Sequence, residues 1–106
     1  MPISYRVVVQ PFALKDMEDA VEYVARELKN PSAAQKLAES LTDGIASLSH
    51  LPTRCPAHTP MRPLRHEYRK LRVGNQLVFF WVSEEDEAVT VARVLYARKN
   101  IDQQLA

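Results

Sequence analysis

Cysteine, glycine and long apolar runs are scarce in this chain. A lone cysteine, Cys55, excludes an internal disulfide framework and a cysteine-rich zinc site. With only Gly44 and Gly74, there is no glycine-rich loop to cradle a phosphate, so Walker and Rossmann nucleotide sites are excluded. No apolar run approaches bilayer-spanning length. The start, MPISYRVVVQ, alternates in polarity and breaks at Pro11 instead of following a basic segment with an apolar one. A soluble cytoplasmic protein with no membrane partner is therefore expected. His50, His58 and His66 are spaced across a helix end and a proline-rich stretch, which is not metal-ligand spacing, and the serines lack a nucleophile-elbow context. No metal or cofactor is expected.

What is present is enough for one domain over residues 1–106: 46% of the residues are hydrophobic, so a modest core can form without staples. The formal net charge of +1 hides an asymmetry. Arg54, Arg62, Arg65, Arg69, Lys70 and Arg72, with His58 and His66, face the single acid Glu67 in that stretch. Such a basic field suits a polyanion or an acidic protein partner.

From Ile3 to Val9 the side chains alternate as in a strand, which Pro11 ends. Leu14, Met17, Val21, Val24 and Leu28 then recur at spacings of three and four, predicting a helix over 12–29 with this stripe buried and Asp16, Glu18 and Asp19 on a solvated face. Asn30-Pro31 closes that helix and opens a second, because asparagine caps well and proline is tolerated at the first helical position. The second helix carries Ala34, Leu37, Leu41, Ile45 and Leu48, with Gly44 placed to allow a close approach. Pro52, Pro56, Pro60 and Pro63 mark an ordered irregular connection.

Three more strands are expected: 67–73, then Gly74-Asn75 as a hairpin turn, then QLVFFWV over 76–82, apolar on both faces, then the acidic turn SEEDE and a strand over 88–98. Residues 101–105 are expected to form a last helical turn. The fold class is thus α+β: strand, helix hairpin, then a three-stranded antiparallel meander. The helices would cover one face of a mainly antiparallel sheet and leave the other partly open.

Alternation places Tyr68, Lys70 and Arg72 on one side of their strand, and Tyr96 and Arg98 on one side of the last. Framing the central strand, these groups would form a shallow basic and aromatic surface: cations for phosphates and tyrosines to stack on bases. Metal-free RNA cleavage needs a base, an acid and cations, which Lys70, Arg72, Tyr96 and Arg98 could supply. Arg65, Tyr68, Arg69, Lys70, Arg72, Arg98 and Lys99 are the candidate target-binding residues.

The segments YVARELKNPSAAQKL, YRKLRVGNQLVFFWV and VARVLYARKN, with the closing DQQL, resemble the RelE/ParE superfamily of toxins from bacterial type II toxin–antitoxin, or plasmid stabilisation, modules. The resemblance implies growth arrest by a toxin that a cognate antitoxin neutralises. It also implies one of two targets, DNA gyrase for ParE-like members or the ribosome and its mRNA for RelE-like endoribonucleases; an inactive antitoxin-binding relative is a third option. Gln76 stands where ribosome-dependent members usually carry an arginine, and Tyr96 where several relatives have histidine. Those departures and the long helix hairpin are closer to the ParE branch, a non-catalytic gyrase inhibitor.

Overall fold

The computed structural model describes residues 4–60, 63–97 and 101–105. Its elements are β1 (Arg6–Val9), α1 (Pro11–Arg26), α2 (Pro31–Ser47), a 3-10 turn at Pro52–Arg54, β2 (Arg69–Val73), β3 (Gln76–Ser83), β4 (Ala88–Tyr96) and α3 (Ile101–Leu105). The expected α+β order is therefore present. The sheet runs β1-β4-β3-β2, with the meander antiparallel and β1 parallel to β4.

Local chemistry accounts for the helix boundaries. The Asn30 side chain accepts a hydrogen bond from the Ala33 N–H at 3.1 Å, and Pro31 opens α2. Just beyond α2, Arg54 gathers carbonyls of the turn that follows, donating from Nη1 to His50 O at 2.7 Å and Leu51 O at 3.1 Å. Gly44 lets α2 settle onto β2: a Cβ there would stand 3.1 Å from Val73 Cγ2.

The sheet carries a core on each face. On one side Val78, Phe80, Val89, Val91 and Val94 pack with Ala13, Leu41, Ile45 and Leu48 from the helices, and with Tyr5 and Cys55. On the other, Phe79, Ala92 and Leu95 pack with Tyr68 and with Leu105 of α3, flanked by Leu64, Leu77, Trp81 and Ile101. The expectation of a partly open second face is thus corrected. The segment entering β2 and the short α3 roof much of it with apolar side chains.

The α1 stripe also needs correction. Ala13 is fully buried, whereas Leu14 and Leu28 are 51% and 57% exposed. Met17 does pack against the helix-side core, and with Leu14 and Val21 it also lines an apolar groove shared with Ala38 and Leu41. Small Ala13 lets α1 lie close against the sheet, which turns the neighbouring leucine outward.

The proline-rich connection has a structural task. His58 N–H donates to Tyr68 O at 2.8 Å and Lys70 N–H donates to Pro56 O at 3.1 Å, with a bridge between Ala57 and Arg69. This segment covers the outer edge of β2 with a strand-like pairing that its prolines cannot extend.

At the opposite side, the Tyr5 hydroxyl donates to Glu84 Oε2 at 2.6 Å, and that bond, with burial and the Glu84 charge, pushes the phenol up to about 12 from 10.0. Because the folded value is the higher, the stabilisation is fully present below pH 10 and is lost as pH rises towards 12. In a phenolate absorbance titration, Tyr5→Phe is expected to remove the highest-pH step of the four tyrosines. Retention of that step in the variant would refute the assignment.

Among the described residues no helix is long and apolar enough to cross a membrane.

Candidate functional site

The candidate residues lie on β2, β4 and the segments beside them, so strand register decides which side chains can meet. Lys70 pairs with Phe79 and Arg72 with Leu77, and both partners belong to the second-face core, so Lys70 and Arg72 lie on that face. In β4 the register slips at Phe79/Phe80: Phe79 faces Arg93, Phe80 faces Val91, and Ala92 is the extra residue of a β-bulge. One inserted residue inverts the alternation beyond it. Val94 therefore returns to the helix side, and Tyr96, two positions on and paired with Gln76, follows it.

Tyr96 is thus across the sheet from Lys70 and Arg72. The expected surface framed by Tyr68, Lys70, Arg72 and Tyr96 does not assemble. Arg98 and Lys99, like Arg62, lie outside the described residues, as does Ile3 of the first predicted strand.

The remaining candidates divide by what they touch. Arg69 Nη1 donates to Cys55 O at 2.7 Å and Thr53 O at 3.3 Å, so it fastens the proline-rich segment. Arg72 Nε donates to Gly74 O at 2.9 Å and braces the hairpin turn, while the side chain is exposed. Tyr68 is 6% exposed and cannot stack on a splayed base; burial raises its phenol, against the lowering influence of Arg65. Arg65 is exposed and Lys70 half-buried, and neither makes an ion pair among the described residues. Among the described residues, the candidate cations left to meet a partner are Arg65, Lys70 and the outer part of Arg72.

Beside them is an aromatic cluster that periodicity did not suggest. His66 stacks on Trp81 with ring centroids 3.7 Å apart and planes 3° off parallel, and Tyr68 meets both rings edge-on at 5.9 Å. Burial, and secondarily Arg65, lowers the His66 pKa. The stack pins the chain entering β2 to the sheet.

The other arrangement missed in the sequence is the Asp16–Arg93 pair. Asp16, assigned to a solvated face, accepts from Arg93 Nε at 2.7 Å and Nη2 at 2.9 Å, and from the Val94 N–H at 3.0 Å. The side chains are 15% and 22% exposed. β1 stops at Val9, opposite Val91, so the carboxylate serves the β4 edge where the neighbouring strand ends. The bond to Asp16 raises the already high Arg93 pKa. An arginine inside the apolar run VTVARVL was the available signal that a buried acid must face it. Among the described residues no group of three His, Cys, Asp or Glu side chains could hold a metal ion.

A face with a few unpaired cations above an apolar layer can dock an acidic partner, and the register sets Tyr96 across the sheet from Lys70 and Arg72. Residues 7–101 match the family of the ParE toxin of the type II toxin–antitoxin system, parDE. The chain belongs to the ParE toxin family. Its fold is shared with the chromosomal ParDE toxin–antitoxin system of P. aeruginosa, at a TM-score of 0.72 and 13% identity over 92% of this chain and 100% of that one. The RelBE2 toxin–antitoxin complex of Mycobacterium tuberculosis is similar at 0.60, with 21% identity over 91% and 94% of the two chains. A mutant of the E. coli toxin RelE in the free state gives 0.56, with 18% identity over 97% and 94%. No curated protein sequence matches the chain. As a ParE family member it is the toxin of a type II toxin–antitoxin system.

Proposed function

We propose that this ParE family toxin arrests bacterial growth in the cytoplasm by binding and inhibiting DNA gyrase, without catalysis of its own, and that a cognate antitoxin relieves the arrest. The observation that supports gyrase over ribosome-bound mRNA is the β4 bulge. It puts Tyr96 on the helix side of the sheet while Lys70 and Arg72 stay on the other, so the Tyr96 phenol and the strand cations cannot act on one phosphate. Arg69 and Tyr68, two of the candidate target-binding residues, are committed to the loop carbonyls and the second core.

Antitoxin binding is supported by the structural neighbours, which include the RelBE2 toxin–antitoxin complex of Mycobacterium tuberculosis. In this reading Arg65, Lys70 and Arg72 are the target contacts, with Arg98 and Lys99 continuing them along the sequence.

Expression without antitoxin is expected to stop growth, and purified protein to block gyrase supercoiling while transcripts in a translating extract stay intact. Charge reversal by Lys70→Glu is expected to weaken gyrase inhibition about tenfold or more, the equivalent of one charge-assisted contact. Intact supercoiling together with ribosome-dependent cleavage would replace this reading with the endoribonuclease one, and normal growth at confirmed soluble expression would defeat both.

A further inference from the structure

On the second face, where β1 has ended and the β4 bulge turns Ala92 outward, lies a recess of about 280 Å³ lined by Gln10, Phe12, Tyr68, Ala92, Arg93, Gln104 and Leu105. Three features give it a chemical character. First, it is electrically neutral: Arg93 is its only charged wall, and that guanidinium is matched by Asp16 and donates its remaining Nη1 to Gln104 O at 3.3 Å and Oε1 at 3.4 Å. A phosphate or carboxylate would find no uncommitted cation among the lining residues.

Second, its polar groups are uncharged and available. The Tyr68 ring is buried at 6% exposure, but its hydroxyl, which has no hydrogen-bond partner among the described residues, is still reached by solvent. The Gln10 amide likewise has none, and Gln104 uses only its oxygen, leaving its N–H donors open. Third, one wall is aromatic: Phe12 is 71% exposed even with the Arg93 guanidinium over its ring, 5.8 Å from the centroid. Large aromatic surface left in water beside unsatisfied amides favours a flat, uncharged ligand with donors and acceptors on its edge.

We propose that this recess binds an uncharged nucleobase-type heterocycle, stacked on Phe12 and held at its edge by Gln10, Gln104 and the Tyr68 hydroxyl. Glutamine amides pair with the donor–acceptor edge of adenine, and base–aromatic stacking supplies affinity without charge. A metal is excluded by the donor set, which holds no carboxylate, thiol or imidazole among the residues free to ligate. A purely apolar guest would leave three polar groups buried unpaired. The base could come from a free nucleoside or from an unpaired strand, and Lys70 and Arg72 on the same face distinguish the two sources. The proposal goes beyond the gyrase reading and does not depend on it.

The test uses the full chain and its one tryptophan, Trp81, whose ring lies 5.9 Å from that of Tyr68. Titration with adenosine is expected to give a saturable change in Trp81 emission. Tyr68→Phe and Gln104→Ala, with circular dichroism unchanged, are each expected to weaken it about tenfold, the effect of one lost hydrogen bond. A short single-stranded oligonucleotide that binds more tightly than adenosine, and loses that advantage in Lys70→Ala, would identify a strand as the source; equal affinity would identify the free nucleoside. No saturable response at millimolar adenosine, or binding that both variants retain in full, would overturn the proposal and leave a solvent-filled recess. Neither result bears on gyrase inhibition, which is read separately by supercoiling.

Discussion

Asp16→Ala is expected to destabilise the fold by about 3 kcal/mol, because it strands a guanidinium in a mostly buried position. The carboxylate accepts three hydrogen bonds, two from Arg93 and one from the Val94 N–H, with the two side chains 15% and 22% exposed. Removing it leaves both the charge and a β4 edge donor without their partner. Asp16→Asn should cost less, since an amide oxygen still accepts from Val94. The contrast is with Glu22, whose pair with Arg26 spans one helix turn at 56% and 77% exposure; such surface pairs contribute only about 0.3–0.5 kcal/mol. Urea denaturation of the three variants measures the difference directly. If Asp16→Ala shifted the midpoint no further than Glu22→Ala, the pair would be a surface contact and its role at the strand end would be wrong.

Phe79→Ala and Phe80→Ala are each expected to cost about 3–5 kcal/mol, the range for truncating a buried aromatic side chain. A loss of that size is comparable with the whole stability of many domains, which is about 5–15 kcal/mol. Both rings are completely buried, but in different cores. Phe79→Ala should loosen the layer that holds Tyr68, Trp81 and α3 and shift Trp81 emission; Phe80→Ala should free the helices while disturbing that emission less. If Phe79→Ala cost under about 1 kcal/mol, well below the usual cavity penalty, the second face would not be a packed core.

Much of this architecture was legible in the residues. Periods of two and of three to four separated strands from helices, Asn30-Pro31 and Gly74-Asn75 marked turns, and QLVFFWV announced a strand buried on both sides. The last of these already implied a second apolar layer, because a ring such as Phe79 needs neighbours. Its cover, Leu64, Tyr68, Ile101 and Leu105, comes from segments too short to show a period. The site was less legible for a specific reason. Alternation along 88–98 assumes an unbroken strand, and a single extra residue at Ala92 reverses the orientation of everything after it. No local signal in VTVARVL announces the bulge, although the arginine there did announce an unseen acid. The basic stretch misled in a different way: counting charges ignores the carbonyls that Arg54 and Arg69 were placed to bind.

The parallel partnership of β1 with β4 has a consequence for the order in which the molecule can come together. Arg6 pairs with Ala88 and Val9 with Val91, so 82 positions of sequence separate each pair (88 − 6 and 91 − 9). Contacts of such high sequence separation carry a large loop-closure penalty and form late. During synthesis, the first strand and the α1–α2 hairpin leave the ribosome well before the strand they must join. Until β4 emerges, the inner faces of that hairpin have no sheet to cover. A nascent chain of this design therefore carries adhesive helix faces uncovered until the strand that closes the sheet has been made.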